Sequence, residues 1–146
     1  MNAIYISLFV ACSPALARGS NTYVVIEEPQ SWTTALGTCM ARGGHLAVLN
    51  SIEEFNMIRN MLLRYRAGGS TVTGFWVDGT DEFTPDDWFC ATLQAGCPWL
   101  EISSAEVETD NDVSNCAIVW HSFADGLGDI QCNYNEALPI CEFECE

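Results

Sequence analysis

Apolar residues recur at helical spacing twice in the first half of the chain, and at strand spacing through the second. Trp32, Ala35, Leu36 and Cys39 fall at i, i+3, i+4 and i+7, one face of a helix. Ser31 opens that helix and Gly43-Gly44 stops it. His45 to Leu49 reads as a short extended segment. Asn50-Ser51 then caps a second helix, with Glu54 at the capping-box spacing after Ser51. Phe55, Ile58, Met61 and Leu62 supply its inner face. Arg59, Arg64 and Arg66 take the outside or the last turn, where cations suit the helix dipole. Gly68-Gly69 ends it.

Beyond Gly69, short β-like runs alternate with Gly, Asp and Pro turns. Gly74 to Val77 is a strand, and Asp78 to Asp87 an acidic, turn-rich stretch. Trp88 and Trp99 flank a loop pinched by Cys90 and Cys97, and Leu100 to Ser114 is polar and irregular. Cys116 to Trp120 is a strong strand, followed by a Gly-Asp turn at Gly126 to Asp129. Ile130 to Cys132 and Leu138 to Phe143 complete the sheet, while Tyr23 to Ile26 is an edge strand ahead of the helices. No repeat or interdomain linker interrupts the pattern. The length of 146 residues suggests one domain, of α+β class.

The first 17 residues stand apart from it. Ala3 to Cys12 is a short apolar run, and Ala15-Leu16-Ala17 is a small-residue cleavage pattern. Together they read as a secretory signal peptide over 1–17, leaving a domain over 18–146. A membrane anchor is the alternative, but the run is short of the ~20 residues a spanning helix needs. No later segment is long and apolar enough to span, so the mature chain is expected to be extracellular, without a membrane span.

Eight cysteines fit that oxidising setting. Cys12 leaves with the signal, and the seven that remain form an odd set, so one is free or pairs between chains.

Charge sharpens the picture. All five basic residues are arginines, none lies beyond Arg66, and sixteen of the twenty acids do. Nucleic acid is therefore a poor partner, because phosphate binding needs clustered cations. A hard cation such as Ca²⁺ suits abundant oxygen ligands. A solvated acidic surface is the plainer account of most of these carboxylates.

Catalytic patterns are missing: no Gly-x-Ser-x-Gly elbow, His-Glu-x-x-His or phosphate loop occurs. His45 and His121 lack zinc-type partners and read as structural or surface residues. Asp86-Asp87 reads as a solvated turn, and Trp76, Trp88 and Trp99 as core. The protein is not expected to be an enzyme.

The order of elements and cysteines resembles the C-type lectin-like domain family from about Tyr23 to Phe143. Trp32-Thr33-Thr34-Ala35 with Cys39 looks like that family's first helix, and Gly44-His45-Leu46-Ala47-Val48-Leu49-Asn50-Ser51 like its link into the second. Phe75-Trp76-Val77-Asp78-Gly79-Thr80-Asp81 stands where the family has its Trp-Ile-Gly-Leu core segment, with Asp78 in place of the usual glycine. Asn115-Cys116 and Ile140-Cys141-Glu142 match its cysteine surroundings. The resemblance implies two helices, short antiparallel strands and a long disulfide-tied loop. It also implies the pairs Cys39–Cys141 and Cys116–Cys132. Cys90 and Cys97 would form an extra small-loop bridge, which leaves Cys145 unpaired or free to link two chains.

In sugar-binding relatives, a Ca²⁺ in the long loop takes two sugar hydroxyls while its ligands hydrogen-bond to them. The family's loop motif, Glu-Pro-Asn or Gln-Pro-Asp, is matched here by Glu106-Val107-Glu108. Its central proline is lost. The acid expected two residues before the loop cysteine is Ser114, and the Trp-Asn-Asp triplet is Leu127-Gly128-Asp129. Glu106, Glu108 and Asp129 are thus the implied metal and carbohydrate ligands, with Asp110 or Asp112 able to substitute. Asp81 matches an auxiliary calcium ligand whose partner position is Pro85. Two expectations stay open: Ca²⁺-dependent glycan recognition, of the kind used in innate immunity, or a lectin-like module that binds protein or mineral surfaces without a sugar site.

Overall fold

The computed structural model describes residues 21–84, 87–98, 107–108, 115–120 and 126–144, with residues 107, 108 and 115 described by backbone alone. The segment 1–17 expected to be a signal peptide, Trp99, Glu106, Asp110, Asp112, Ser114, His121 and Cys145 lie outside these residues.

Strand β1 (Asn21–Val25) leads into helix α1 (Trp32–Ala41). The Ser31 side chain accepts the Thr34 N–H as an N-cap, and the periodic face buries Trp32, Ala35 and Cys39. After β2 (His45–Leu46) comes helix α2 (Ile52–Ala67). Its start is the predicted capping box. Ser51 accepts the Glu54 N–H, and Glu54 reaches back to the Asn50 N–H at 2.9 Å. Phe55, Ile58 and Leu62 are buried, with Met61 packed beside them.

The strands that follow are β3 (Gly74–Thr80), β4 (Phe89–Cys90), β5 (Ala95–Gly96), β6 (Val107–Glu108), β7 (Asn115–Trp120), β8 (Gly126–Gln131) and β9 (Leu138–Glu144). The main sheet runs β1-β9-β3-β7-β8-β6, with β2 on β9 and the β4–β5 hairpin on β3. Most pairings are antiparallel, as expected. Two are parallel, β3 with β9 and β6 with β8, so the sheet is mixed. The last described strand returns between β1 and β3, so the first and last strands pair in one sheet.

Three boundaries differ from the sequence pattern. β3 continues through Asp78-Gly79-Thr80, which the acid and glycine had marked as a turn; all three are buried. Gly126 to Asp129 is strand and not turn, paired residue for residue with β7 from Trp120↔Gly126 to Asn115↔Gln131. Val107–Glu108, inside the stretch read as irregular, is a two-residue strand on β8. Each is formed by pairing with a distant segment, which local propensity does not register.

β3 and β7 do not run in simple register. From Trp76↔Ile118 to Thr80↔Cys116, four steps on β3 oppose two on β7. Gly79, at φ 147°, takes up the irregularity. At the other end of β3, Gly74 lets the strands close. A Cβ there would sit 2.7 Å from the Val119 carbonyl oxygen.

The core has two halves. α2 packs Phe55, Ile58 and Leu62 against Phe75, Val77, Val119 and Ile140. α1 packs Trp32, Ala35 and Cys39 against Trp76, Ile118 and Phe143. Trp32 and Trp76 are both core, and each indole N–H is satisfied, on the Val77 and Gln30 carbonyls at 3.0 and 2.7 Å. Trp88 is buried as well.

The bridges are Cys39–Cys141, Cys90–Cys97 and Cys116–Cys132. The first ties α1 to β9, and the last ties the start of β7 to the residue after β8.

Candidate functional site

Two of the implied ligands, Glu108 and Asp129, lie on β6 and its parallel neighbour β8. β6 lies beside β8 in the register Val107↔Leu127 and Glu108↔Gly128. Glu108 therefore stands one strand away from the residue immediately before Asp129. Asp129 is 3% exposed and pairs with Ala117 of β7. A carboxylate so deeply placed in a strand costs desolvation energy, which a bound cation or hydrogen-bond donors must offset. The Cys116–Cys132 bridge clamps the strands on which this register depends. Two of the three implied ligands are thus on adjacent, paired strands, and Glu106 falls outside the described residues.

The neighbouring positions are less generous. Gly128, directly opposite Glu108, has no side chain to offer, and Val107 sits opposite Leu127. Asp81, beyond the end of β3, is buried, and Glu82 beside it is exposed. Glu82 clusters with the sulfurs of Cys116 and Cys132, but those sulfurs are bonded to each other and offer no thiolate.

His45 behaves structurally. Its Nδ1–H donates to the Leu46 carbonyl at 2.7 Å, and Nε2 lies 3.4 Å from a Glu144 carboxylate oxygen.

Two buried carboxylates escaped the sequence reading. Asp78, fully buried, accepts the backbone N–H groups of Ala91 and Thr92 at 2.9 and 2.8 Å. Its place in the strand is thereby explained: the carboxylate caps the turn of the β4–β5 hairpin. Glu142, 1% exposed, accepts the Val48 N–H at 3.0 Å, the Asn21 side-chain amide and the Tyr23 hydroxyl at 3.3 Å. The same hydroxyl donates to Glu54 at 2.7 Å. Burial first, then the Glu54 hydrogen bond and the Glu142 charge, push the Tyr23 hydroxyl far above the ordinary tyrosine range. The one sequence signal for Glu142 is an acid set inside the apolar run Leu138 to Phe143.

This architecture has relatives. The chain matches the Lectin C-type domain over residues 28–143. It is 32% identical over 114 residues to mouse C-type lectin domain family 10 member A, covering 62% of this chain and 38% of that relative's length. Its fold superimposes on the cow carbohydrate-recognition domain of CD23, solved in the presence of a GlcNAc2Man3 oligosaccharide. That comparison has a TM-score of 0.69 at 15% identity and covers 93% of this chain and 98% of that one. A calcium-independent type II antifreeze protein is similar to the same degree, with a TM-score of 0.68 at 18% identity, covering 92% and 95%. Two capped helices, a mixed sheet and the bridges Cys39–Cys141 and Cys116–Cys132 occur here with a family match over most of the chain, and the protein therefore belongs to the C-type lectin domain family.

Proposed function

We propose that this protein is a secreted, non-enzymatic lectin that recognises glycans through a Ca²⁺ held by Glu106, Glu108 and Asp129. The observation that supports it is the parallel register of β6 on β8, which sets Glu108 next to the residue preceding buried Asp129. The donor set is all oxygen, which fits a hard cation. When bound, the ion would supply coordination sites for two vicinal sugar hydroxyls. The carboxylates around it would accept the hydroxyl protons as charge-assisted hydrogen bonds. The surrounding charge helps, since no lysine or arginine occurs beyond Arg66. Glycan recognition of this kind suits innate recognition of microbial surfaces. We further propose that residues 1–17 are removed on secretion and that Cys145 links two chains.

Calorimetry with Ca²⁺, followed by glycan-array binding with and without EGTA, tests the reading. The expected result is one Ca²⁺ site, abolished by Asp129→Asn and by Glu106→Ala, with sugar binding that disappears in EGTA. Glycan binding indifferent to EGTA, or Ca²⁺ binding intact in both variants, would refute it. A non-reducing gel at monomer size would dispose of the Cys145 link.

A second reading is favoured by Gly128, which faces Glu108 without a donor, and by Val107 and Ser114 in place of the family's proline and acid. On that reading the fold presents a surface to protein or mineral, in the manner of a relative that works without calcium. A pull-down partner retained in EGTA and in free sugar would establish it.

A further inference from the structure

Of the six bonded cysteines, five are buried and Cys132, the residue after β8, is half-buried. Its partner Cys116 is closed off at the start of β7. Thiol exchange needs a thiolate to reach a sulfur, so reduction of the protein should begin at this bridge. A charged group stands beside it. A carboxylate oxygen of exposed Glu82 lies within 4.8 Å of both sulfurs. Thr80 anchors that residue there. The Glu82 N–H donates to Thr80 Oγ1 at 3.1 Å, and the same oxygen is 3.5 Å from Cys116 Sγ. Strands β3, β7 and β8, which meet at the bridge, contain no lysine or arginine to neutralise the carboxylate.

Such a charge acts on whatever approaches the sulfurs. The separation of 4.8 Å is well inside the screening length of about 8 Å at physiological salt. A thiol of net negative charge is therefore repelled at the sulfur it must attack, while one that carries an ammonium group is spared. We propose that the Cys116–Cys132 bridge is a redox-sensitive clamp on the β7–β8 flank and that Glu82 selects its reductant, admitting small cationic thiols and holding off anionic ones such as glutathione. In the first step the incoming thiolate bonds to Cys132 Sγ. The bond between the two Sγ atoms breaks, and Cys116 leaves as a thiolate that takes a proton from water. A second thiolate then attacks the small-thiol sulfur of the mixed disulfide. Cys132 leaves and is protonated in turn, and the two small thiols depart as their own disulfide. The bridge gains two electrons and, through water, the two protons the thiols gave up. The clamp joins the strands whose pairing carries Asp129. The shield needs no bound Ca²⁺, so it stands apart from the proposed sugar site.

The test is the rate of bridge opening in the full chain, in EGTA at physiological salt, with cysteamine and glutathione supplied at equal thiolate concentration. Samples are quenched with iodoacetamide, and peptide mass spectrometry identifies the alkylated cysteines. Cys116–Cys132 is expected to open before the other two bridges. Cysteamine should outpace glutathione about tenfold. Glu82→Gln should speed glutathione about fivefold and leave cysteamine within about twofold. Glu53→Gln, at an exposed acid on α2, should change neither rate. Molar salt should close the glutathione gap between the native protein and Glu82→Gln. Earlier opening of Cys39–Cys141 or Cys90–Cys97, equal rates for the two thiols, or a bridge that neither thiol opens would overturn the proposal. So would equal acceleration of both thiols by Glu82→Gln, which would mean that the residue only holds the local structure closed.

Discussion

Asp78 shows how one side chain can organise a segment that sequence patterning treats as a loop. Its carboxylate, buried in β3, holds two backbone N–H groups of the hairpin turn. Asp78→Ala removes the acceptor from both of these part-buried hydrogen bonds. The expected cost is about 2–3 kcal/mol in urea unfolding, with Asp78→Asn costing less because one acceptor remains. Tyr23 makes a pH-dependent contribution with a definite sign. Its folded-state pKa is raised, by burial first and the Glu54 and Glu142 carboxylates after. The unfolded chain releases this proton near pH ~10 while the folded chain retains it. The stability is therefore fully present below pH ~10 and is lost as pH rises above it. Urea midpoints measured from pH 8 to 11 should fall above 10 in the native protein. Tyr65, also raised, by burial and then Glu27, adds to that fall, so Tyr23→Phe should lessen the slope without removing it. An unchanged slope in Tyr23→Phe would refute the assignment.

At the scale of elements, local rules account for the helices and non-local pairing for the strands. Both helix starts were legible because a cap and a 3.6-residue period act over a few neighbouring residues, as Ser31 and Ser51 do. Ser51→Ala should cost about 1 kcal/mol in thermal or urea unfolding, since it removes the acceptor of the Glu54 N–H. The segments Asp78 to Thr80 and Gly126 to Asp129 were not legible as strand. Glycine and aspartate signal turns, and pairing with β7, β4 and β6 holds these segments extended. Gly74 illustrates the demand such pairing makes. Gly74→Ala places a methyl 2.7 Å from the Val119 carbonyl, and the forced shift should cost about 1–3 kcal/mol in the same assay.

For the whole molecule, the long bridge joins residues 102 apart, while Cys116–Cys132 spans 16. In a chain-entropy account, removing the first by paired Cys→Ala changes should cost about 4–5 kcal/mol and the second about 3. Thermal melts of the two variants should preserve that order. The candidate calcium site shows the same division between near and far in the chain. The family resemblance, counted from Cys116 and Cys132, implied Glu106, Glu108 and Asp129 as ligands. The burial of Asp129 and its nearness to Glu108 depend on β6 pairing with β8, a contact between segments twenty residues apart. The same is true of Glu142, whose partners come from β1, the segment after β2, and, through Tyr23, from α2. The amino-acid order by itself determined the helices, their caps, the family and the cysteine framework, since each depends on short-range periodicity or on residue spacing. Only the tertiary structure decided which acids are buried, which glycines extend and which faces meet. Those outcomes depend on packing between distant segments, and a linear pattern holds no record of that packing.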